Sequence, residues 1–208
     1  MISTYPLHDS DLIESCLLKA AEGDFPATGE NHYSAFIPKA TYVSLGASNS
    51  IETHVIIENC ITDNVLLFKR LSGGEAVYLS PNCVVFSHIL ISDDLPKSAT
   101  FFLQNLDRIT ACLQAFGISN VLARGISDLA IGDKKILGSA IYRRQRVILF
   151  QAVLNVCESP WTIERYLKHP PREPDYRHNR PHSDFITSLQ KEGYMINSED
   201  IIQKCYSS

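Results

Sequence analysis

The strongest signal in this chain is Arg70-Leu71-Ser72-Gly73-Gly74-Glu75-Ala76-Val77-Tyr78. The apolar run Val65-Leu66-Leu67-Phe68 before it is typical of a strand, so an arginine enters a Gly-Gly turn and a second apolar run follows at once. Glycines allow the backbone to approach a ligand closely. Backbone N–H groups around such a turn can hold an anion, and an arginine fork can hold a phosphate or carboxylate. The stretch therefore predicts a site for an anionic small molecule.

Two further segments carry related signals. Lys134-Lys135-Ile136-Leu137-Gly138-Ser139-Ala140 sets a lysine just before a turn of small residues, and Gly125-Ile126-Ser127-Asp128-Leu129 lies upstream of it. A lysine ammonium is a compact point charge that fits between two oxygens. The arginine and lysine segments together indicate a site for an anionic small molecule that is adenylated or acylated.

In chain order, the Arg70, Gly125 and Lys134 segments resemble motifs of the lipoate-protein ligase and octanoyltransferase branch of the biotin/lipoate protein ligase family. The resemblance covers residues 30 to 156. Those motifs read Arg-x-x-Gly-Gly-Gly-x-Val, Gly-Arg-Asn-Asp-Leu and Lys-Ile/Val-x-Gly-Ser-Ala. The resemblance implies an α+β fold, a mixed β-sheet sandwich with flanking helices. It also implies one catalytic domain over residues 1–208, with residues 160–208 as a Pro-rich turn and short-helix tail packed on it, and with the accessory C-terminal domain of the full-length ligases absent.

The resemblance also implies the site. Lys135 would be the catalytic residue, with its ammonium at the acyl carbonyl and the phosphate, where a fixed charge stabilises the transition state. Asp128 would bind Mg²⁺, which takes oxygen ligands and keeps several waters; a turn-capping role is the alternative. The residues implied to bind ATP and the acyl-adenylate are Arg70, Ser72, Gly73, Gly74, Glu75, Ala76, Val77, Tyr78, Gly138, Ser139 and Ala140.

The implied reaction is protein lipoylation. Lipoate or octanoate would be activated with ATP and Mg²⁺ as an acyl-adenylate and transferred to a lysine of an apo lipoyl domain. The acceptor would belong to a 2-oxoacid dehydrogenase subunit or to a glycine-cleavage H-type protein. A separate accessory subunit would serve adenylation if this chain performs only the transfer.

Two alternatives remain open at this stage. Glu75 stands where the family has its third glycine, and Gln151-Ala152-Val153 stands where the family has His-Gly-Thr or His-Gly-Ser. These departures fit a non-catalytic member that binds an acyl group or a lipoyl domain. The other alternative is an ATP-independent octanoyl or lipoyl transferase with a cysteine thioester, for which Cys157 is the candidate nucleophile.

Composition excludes several classes. The 208 residues carry a net charge of −4 and a pI near 6.0, which argues against a nucleic-acid partner. No apolar run reaches the length of a membrane span, and the first residues lack the pattern of a secretory signal, so we expect a cytoplasmic protein with no membrane partner. The six dispersed cysteines predict no disulfide framework, and Cys16, Cys83 and Cys112 read as small buried hydrophobes.

Apolar periodicity predicts the elements around these motifs. Helices are expected over residues 9–22 and 97–116, and strands at residues 41–43, 54–57, 84–91, 120–123, 129–131, 139–142 and 147–150, with Gly132-Asp133 as a hairpin turn. Short helices are expected at residues 162–167, 184–191 and 198–205. The tail cluster of Tyr176, Arg177, Arg180, His182 and Asp184 is interpreted as salt bridges that fix the tail, with an acidic lipoyl domain as the alternative partner.

Overall fold

Two β-sheets of unequal size form the framework, in a computed structural model that describes residues 30–206. Within these residues the large sheet is antiparallel throughout, and its strands in spatial order are β1 (Glu30–Phe36), β5 (Cys83–Ile91), β9 (Val147–Asn155), β8 (Lys134–Arg144), β7 (Asp128–Ile131) and β6 (Val121–Arg124). The small sheet has the order β3 (Leu66–Lys69), β2 (Tyr42–Leu45), β4 (Val77–Leu79). Because β2 pairs parallel with β3 and antiparallel with β4, the small sheet is mixed, and the fold is α+β as predicted.

Helices flank both sheets. The longest is α3 (Ser98–Gln114), whose buried face packs on the large sheet, and the C-terminal helix packs beside it. The others are α1 (Ile51–His54), α2 (Ile57–Thr62), α4 (Pro160–Tyr166), α5 (His182–Phe185), α6 (Ser198–Tyr206) and a 3₁₀ turn, Asp175–Arg177. Within residues 30–206, no helix has both the length and the apolar character needed to cross a membrane.

Strand β9 shows how the large sheet divides its two faces. Side chains alternate along a strand, so residues two apart share a face. Ile148, Phe150, Ala152 and Leu154 belong to the main core with α3, whereas the alternate residues of β9 face the other way. Residues of that second face, among them Gln151 and Val153, line a cavity.

A row of facing residues runs across the second face of the sheet. The strand pairings place Phe36 opposite Val85, Val85 opposite Val153, Val153 opposite Gly138, and Gly138 opposite Asp128. Residues directly opposite in neighbouring strands share a face. The apolar end of this row therefore leads straight to the motif residues at its other end.

Most predicted elements are confirmed. The helix expected over residues 97–116 is α3, the strand expected at residues 84–91 is β5, and the Gly132-Asp133 turn joins β7 to β8. The strand expected at residues 54–57 is wrong, because α1 ends at His54 and α2 begins at Ile57, with Val55 in an isolated bridge to Leu167. The apolar residues Val55, Ile56 and Ile57 lie where the two short helices meet, and in the sequence this run resembles a strand.

The tail is also less helical than predicted. The expected helix at residues 184–191 is reduced to α5, which ends at Phe185, and the following Ile186 forms a bridge with Lys135 on β8. Tertiary pairing with Lys135 of β8 replaces the helix that local propensity favoured. The predicted helix over residues 9–22, with Cys16, lies outside the described residues.

The cysteine prediction needs a correction. Cys83 is a buried free thiol as expected, but Cys112 on α3 is bonded to Cys205 on α6. The two are 93 positions apart, so their spacing along the chain did not indicate that they pair. The packing of α6 against α3 brings them together.

Candidate active site

A cavity of about 1510 Å³ lies between the two sheets and the Pro-rich tail. The row from Phe36 to Asp128 lines it from the large sheet, and Tyr42, Phe68 and Leu79 line it from the small sheet. Of the predicted site residues, those in its wall are Arg70, Gly74, Glu75, Ala76, Val77, Tyr78, Asp128, Lys135, Gly138, Ser139 and Ala140. The Gly-Gly loop and the two neighbouring segments that carry Asp128 and Lys135 therefore meet around one space.

Ser72 and Gly73 lie just behind this wall. Ser72 is fully buried, its hydroxyl accepts a hydrogen bond from Arg70 Nε at 3.0 Å, and the Gly73 carbonyl accepts one from Arg70 Nη2 at 2.7 Å. These two residues shape the loop and leave the cavity surface to their neighbours.

Lys135 brings a positive charge into the cavity wall. Its Nζ lies 2.8 Å from Asp128 Oδ1, and its side chain is 27% exposed while that of Asp128 is 5% exposed. A buried carboxylate holds an ammonium in one place, since leaving either charge unpaired would be costly. Lys135 is thus anchored on one side and open to the cavity on the other.

A β-bulge makes this arrangement possible. Asp128 pairs with Gly138 and Leu129 with Leu137, but Ala130 pairs with Lys135, so Ile136 is an extra residue in β8. In a regular strand, residues three apart face opposite sides of the sheet. The extra residue turns the strand so that Lys135 and Gly138 both reach the cavity.

Gly138 provides the space that the ammonium occupies. A Cβ atom at this position would lie 2.7 Å from both Cε and Nζ of Lys135. Any larger residue would push the lysine out of its position. Nearby, Ser139 ties two motifs together, because its N–H and its hydroxyl both donate to the Ser127 carbonyl, at 2.9 and 2.7 Å.

Asp128 is hydrogen-bonded through both carboxylate oxygens. Oδ1 contacts the Lys135 ammonium and accepts a hydrogen bond of 3.3 Å from the Ser127 hydroxyl. Oδ2 accepts a hydrogen bond of 2.9 Å from the Tyr176 hydroxyl. Burial, and then the Asp128 charge, raise the pKa of Tyr176, so its phenol stays a donor.

Three donors already contact the Asp128 carboxylate, which leaves few of its lone pairs for a metal ion. Among residues 30–206, no group of three or more His, Cys, Asp or Glu side chains is arranged to hold one. Mg²⁺ at Asp128 stays a prediction from the resemblance.

Arg70 has a structural environment that differs from that of Lys135. It donates through Nη1 to the Ser44 carbonyl at 2.7 Å and through Nη2 to the carbonyls of Gly73 and Glu75 at 2.7 and 2.8 Å. Burial lowers the pKa of Arg70 to about 10, an effect that the nearby Glu75 charge opposes. Its donors therefore serve first to fix the Gly-Gly loop, and a direct contact with phosphate stays a prediction.

The loop is packed closely against the end of β2. Gly74 has a φ of +86°, which favours glycine, and a Cβ atom at Gly46 would lie 2.0 Å from the Gly74 carbonyl oxygen. Gly46 also donates its N–H to Asn49 Oδ1 at 2.7 Å. Two glycines from different segments thus allow the backbones to touch.

Glu75, the departure from the family motif, has a partner of its own. Its Oε2 lies 2.9 Å from Nε2 of the buried His54, whose Nδ1 lies 2.9 Å from the Ser50 carbonyl. Both imidazole nitrogens face oxygen atoms, so the ring lies between the Glu75 carboxyl group and the Ser50 carbonyl. The Glu75 side chain therefore has a partner within the protein.

Residues 14–208 match the family described as the lipoyl protein ligase A/B catalytic domain. This chain belongs to that family.

Individual relatives agree with the family assignment. A lipoate-protein ligase A of Psychrobacter cryohalolentis is 34% identical over 98 residues, which are 47% of this chain and 27% of that protein. A bi-partite lipoate protein ligase from Thermoplasma acidophilum has a similar fold, with a TM-score of 0.78 at 17% identity, covering 95% of this chain and 77% of that one. A lipoate-protein ligase A bound with ATP gives a TM-score of 0.75 at 18% identity, covering 91% and 75%. The matched segment is thus about a quarter of the curated relative's length.

Within this lipoyl ligase fold, the cysteine alternative gains no support. Cys157 is exposed and lies outside the cavity lining, and its Sγ donates to Asn82 Oδ1 at 3.2 Å. Partial burial and the Glu158 carboxylate raise its pKa, which disfavours the thiolate. Cys83 does line the cavity, but burial raises its pKa to about 12.

Two arginines of the tail cluster, Arg177 and Arg180, form salt bridges as predicted. The buried Arg177 lies against Glu173 and over the ring of Phe185, and Arg180 donates to the Asp133 carboxylate at 2.8 Å. Because Asp133 is in the β7–β8 turn, the arginine clamps the tail onto the hairpin that carries Asp128 and Lys135.

Three residues of this site were missed by sequence reasoning. Tyr176 was grouped with the tail cations, His54 was assigned to a strand, and Gly46 was not singled out. Tyr176 and His54 meet their partners 48 and 21 positions away, and the close approach of Gly46 to Gly74 is equally non-local. A Gly just after a strand was the one local signal available, for Gly46.

Proposed function

We propose that this chain joins lipoate, or octanoate, to a protein lysine through an acyl-adenylate formed from ATP. The observation that carries the proposal is the Lys135 ammonium, anchored by a buried carboxylate in the wall of a large cavity, at the end of an apolar row. Membership of the lipoyl ligase family supports it, as does the lipoate-protein ligase A fold bound with ATP.

In the first step, a carboxylate oxygen of the acyl substrate attacks the α-phosphorus of ATP, and pyrophosphate leaves. Negative charge builds on the phosphoryl oxygens during this displacement. Lys135 provides a positive charge that is already in position, and such preorganised charge stabilises a transition state more than a mobile one does. Asp128 keeps the ammonium from swinging toward solvent.

In the second step, the ε-amine of the acceptor lysine attacks the carbonyl carbon of the acyl-adenylate. An amide bond forms, AMP leaves with the electrons of the C–O bond, and the amine releases its proton to solvent. The carbonyl oxygen carries negative charge in the tetrahedral intermediate, and the same Lys135 ammonium can stabilise it.

The acyl chain would lie along the apolar part of the row. Val153 and Val85 lie between Gly138 and Phe36, and neighbouring strands are spaced by about 4.8 Å, so this path extends about 14 Å from the lysine site. Tyr42 and Phe68 of the small sheet cover it. An apolar groove of this length suits a medium-length chain with its carboxylate at the charged end.

We propose an apo lipoyl domain as acceptor, either from a 2-oxoacid dehydrogenase subunit or from a glycine-cleavage H-type protein. The similar Thermoplasma acidophilum ligase is described with its E2 lipoyl domain, and it is bi-partite. By that analogy, a separate accessory subunit would serve adenylation if this chain performs only the transfer.

The test is the intact mass of an apo lipoyl domain after incubation with this protein in three parallel reactions. The first contains lipoate, ATP and magnesium, the second synthetic lipoyl-adenylate without ATP, and the third an octanoyl-loaded carrier protein. A lipoyl mass gain in the first two is the expected result.

The other outcomes separate the alternatives. A gain with lipoyl-adenylate alone would show a transfer enzyme that needs a partner for adenylation. A gain with the carrier protein alone would replace the proposal with the thioester transferase. No gain in any reaction, together with tight binding of lipoyl-adenylate, would identify a binding protein.

A further inference from the structure

The position of the Lys135 side chain depends on a residue outside the three motif segments, Tyr176. The Lys135 ammonium is held by Asp128 Oδ1, and the other carboxylate oxygen of Asp128 is held by the hydroxyl of Tyr176 at 2.9 Å. The contacts form a chain from phenol to carboxylate to ammonium. Asp128 is only 4% exposed, so the carboxylate has little solvent to replace a lost donor.

Tyr176 is itself fixed to the hairpin that carries the lysine. Its ring lies against Phe185 with centroids 5.0 Å apart, and its carbonyl accepts a hydrogen bond of 2.8 Å from Arg180. The same guanidinium donates to the carboxylate and the carbonyl of Asp133, in the β7–β8 turn. The contacts with Phe185 and Arg180 therefore hold the Tyr176 phenol in place beside Asp128.

The tail also fixes the backbone of Lys135. Ile186 forms a parallel bridge with Lys135, and Thr187 donates its N–H to the Lys135 carbonyl at 2.9 Å. One segment of the chain thus holds the lysine main chain directly and its side chain through Asp128. A role in simple tail docking would not require the phenol to end on that one carboxylate.

We propose that Tyr176 is a positioning residue, which acts through Asp128 to hold the Lys135 ammonium where charge develops. The kinetic part of this inference rests on the proposed function, and the geometric part does not. Without the phenol, the carboxylate of Asp128 keeps Lys135 as a partner but loses the donor that fixes its orientation, so the ammonium becomes more mobile.

The test compares Tyr176→Phe with Tyr166→Phe in the full chain. Tyr166 is a matched control, because it also lies in the tail and its hydroxyl also donates to a carboxylate, Asp63 Oδ2, at 2.8 Å, away from the cavity. For Tyr176→Phe we expect kcat for lipoyl-adenylate formation to fall by about tenfold or more, with KM for lipoate little changed, since a small misplacement of a catalytic group is costly. Tyr166→Phe should retain the wild-type kcat.

A second readout needs no activity. The acetylation of Lys135 by acetic anhydride, measured by peptide mass spectrometry relative to its neighbour Lys134, should rise severalfold in Tyr176→Phe and stay constant in Tyr166→Phe. An unchanged ratio, equal effects of the two variants, or a raised KM at constant kcat would overturn the positioning role. If the wild-type protein forms no product with any donor, the proposed function fails, and the labelling ratio still decides the role of Tyr176.

Discussion

Two cations beside glycine turns face the same cavity, and the structure uses them in opposite ways. Arg70 directs its donors to the carbonyls of Ser44, Gly73 and Glu75, so its charge is bound up with the backbone of the loop. Lys135 has the carboxylate of Asp128 behind it and the cavity before it. A cation close to a site is therefore not automatically available to a substrate. Its availability depends on the groups to which its donors are already hydrogen-bonded.

Changing Lys135 should have the largest effect on activity. Lys135→Ala removes the charge that we propose to stabilise both steps, and we expect kcat/KM for lipoyl transfer to fall by about 100-fold or more. The matched control is Lys134→Ala, at the next position and outside the cavity lining, which should keep wild-type rates. The measurement is the rate of mass gain of the lipoyl domain. Equal rates for Lys135→Ala and wild type would refute the mechanism.

Crowding the lysine should have the next largest effect. Gly138→Ala places a methyl group where the structure leaves 2.7 Å to Nζ, so the flexible end of Lys135 must move while the fold persists. We expect kcat to fall by about tenfold or more, because the charge is displaced but not removed.

A double-mutant cycle tests this reason for the loss. In the Lys135→Ala background, Gly138→Ala should cost little further activity, because the displaced group is already gone. Additive losses would indicate that Gly138 acts on the substrate and not through the lysine.

Arg70 should show the reverse pattern, with the smallest change in activity and a clear change in stability. Arg70→Lys keeps the charge but loses most of the hydrogen bonds to buried carbonyls, so we expect the free energy of unfolding to drop by about 2 kcal/mol. Denaturant titration measures it, with Arg146→Lys as control, since Arg146 pairs with Asp93 at the surface. A large loss of kcat at unchanged stability would instead assign Arg70 to the substrate.

The comparison also limits what a motif can reveal. Arg70 and Lys135 were both singled out from short patterns, and both line the cavity as predicted. The patterns could not assign their donors, because the partners of Arg70 include the end of β2 and the anchor of Lys135 depends on Tyr176 in the tail. Contacts between distant segments are set by the fold as a whole.

The amino-acid sequence by itself determined the strand at residues 147–150, the long amphipathic α3, the hairpin turn at Gly132 and the family. These features follow from local periodicity and from short motifs, which are properties of neighbouring residues. Only the tertiary structure decided the bulge at Ile136, the disulfide between Cys112 and Cys205, the Glu75–His54 pair and the place of Tyr176 beside Asp128. Each of these depends on how separate segments pack, and packing joins residues whose spacing along the chain carries no information about their contact.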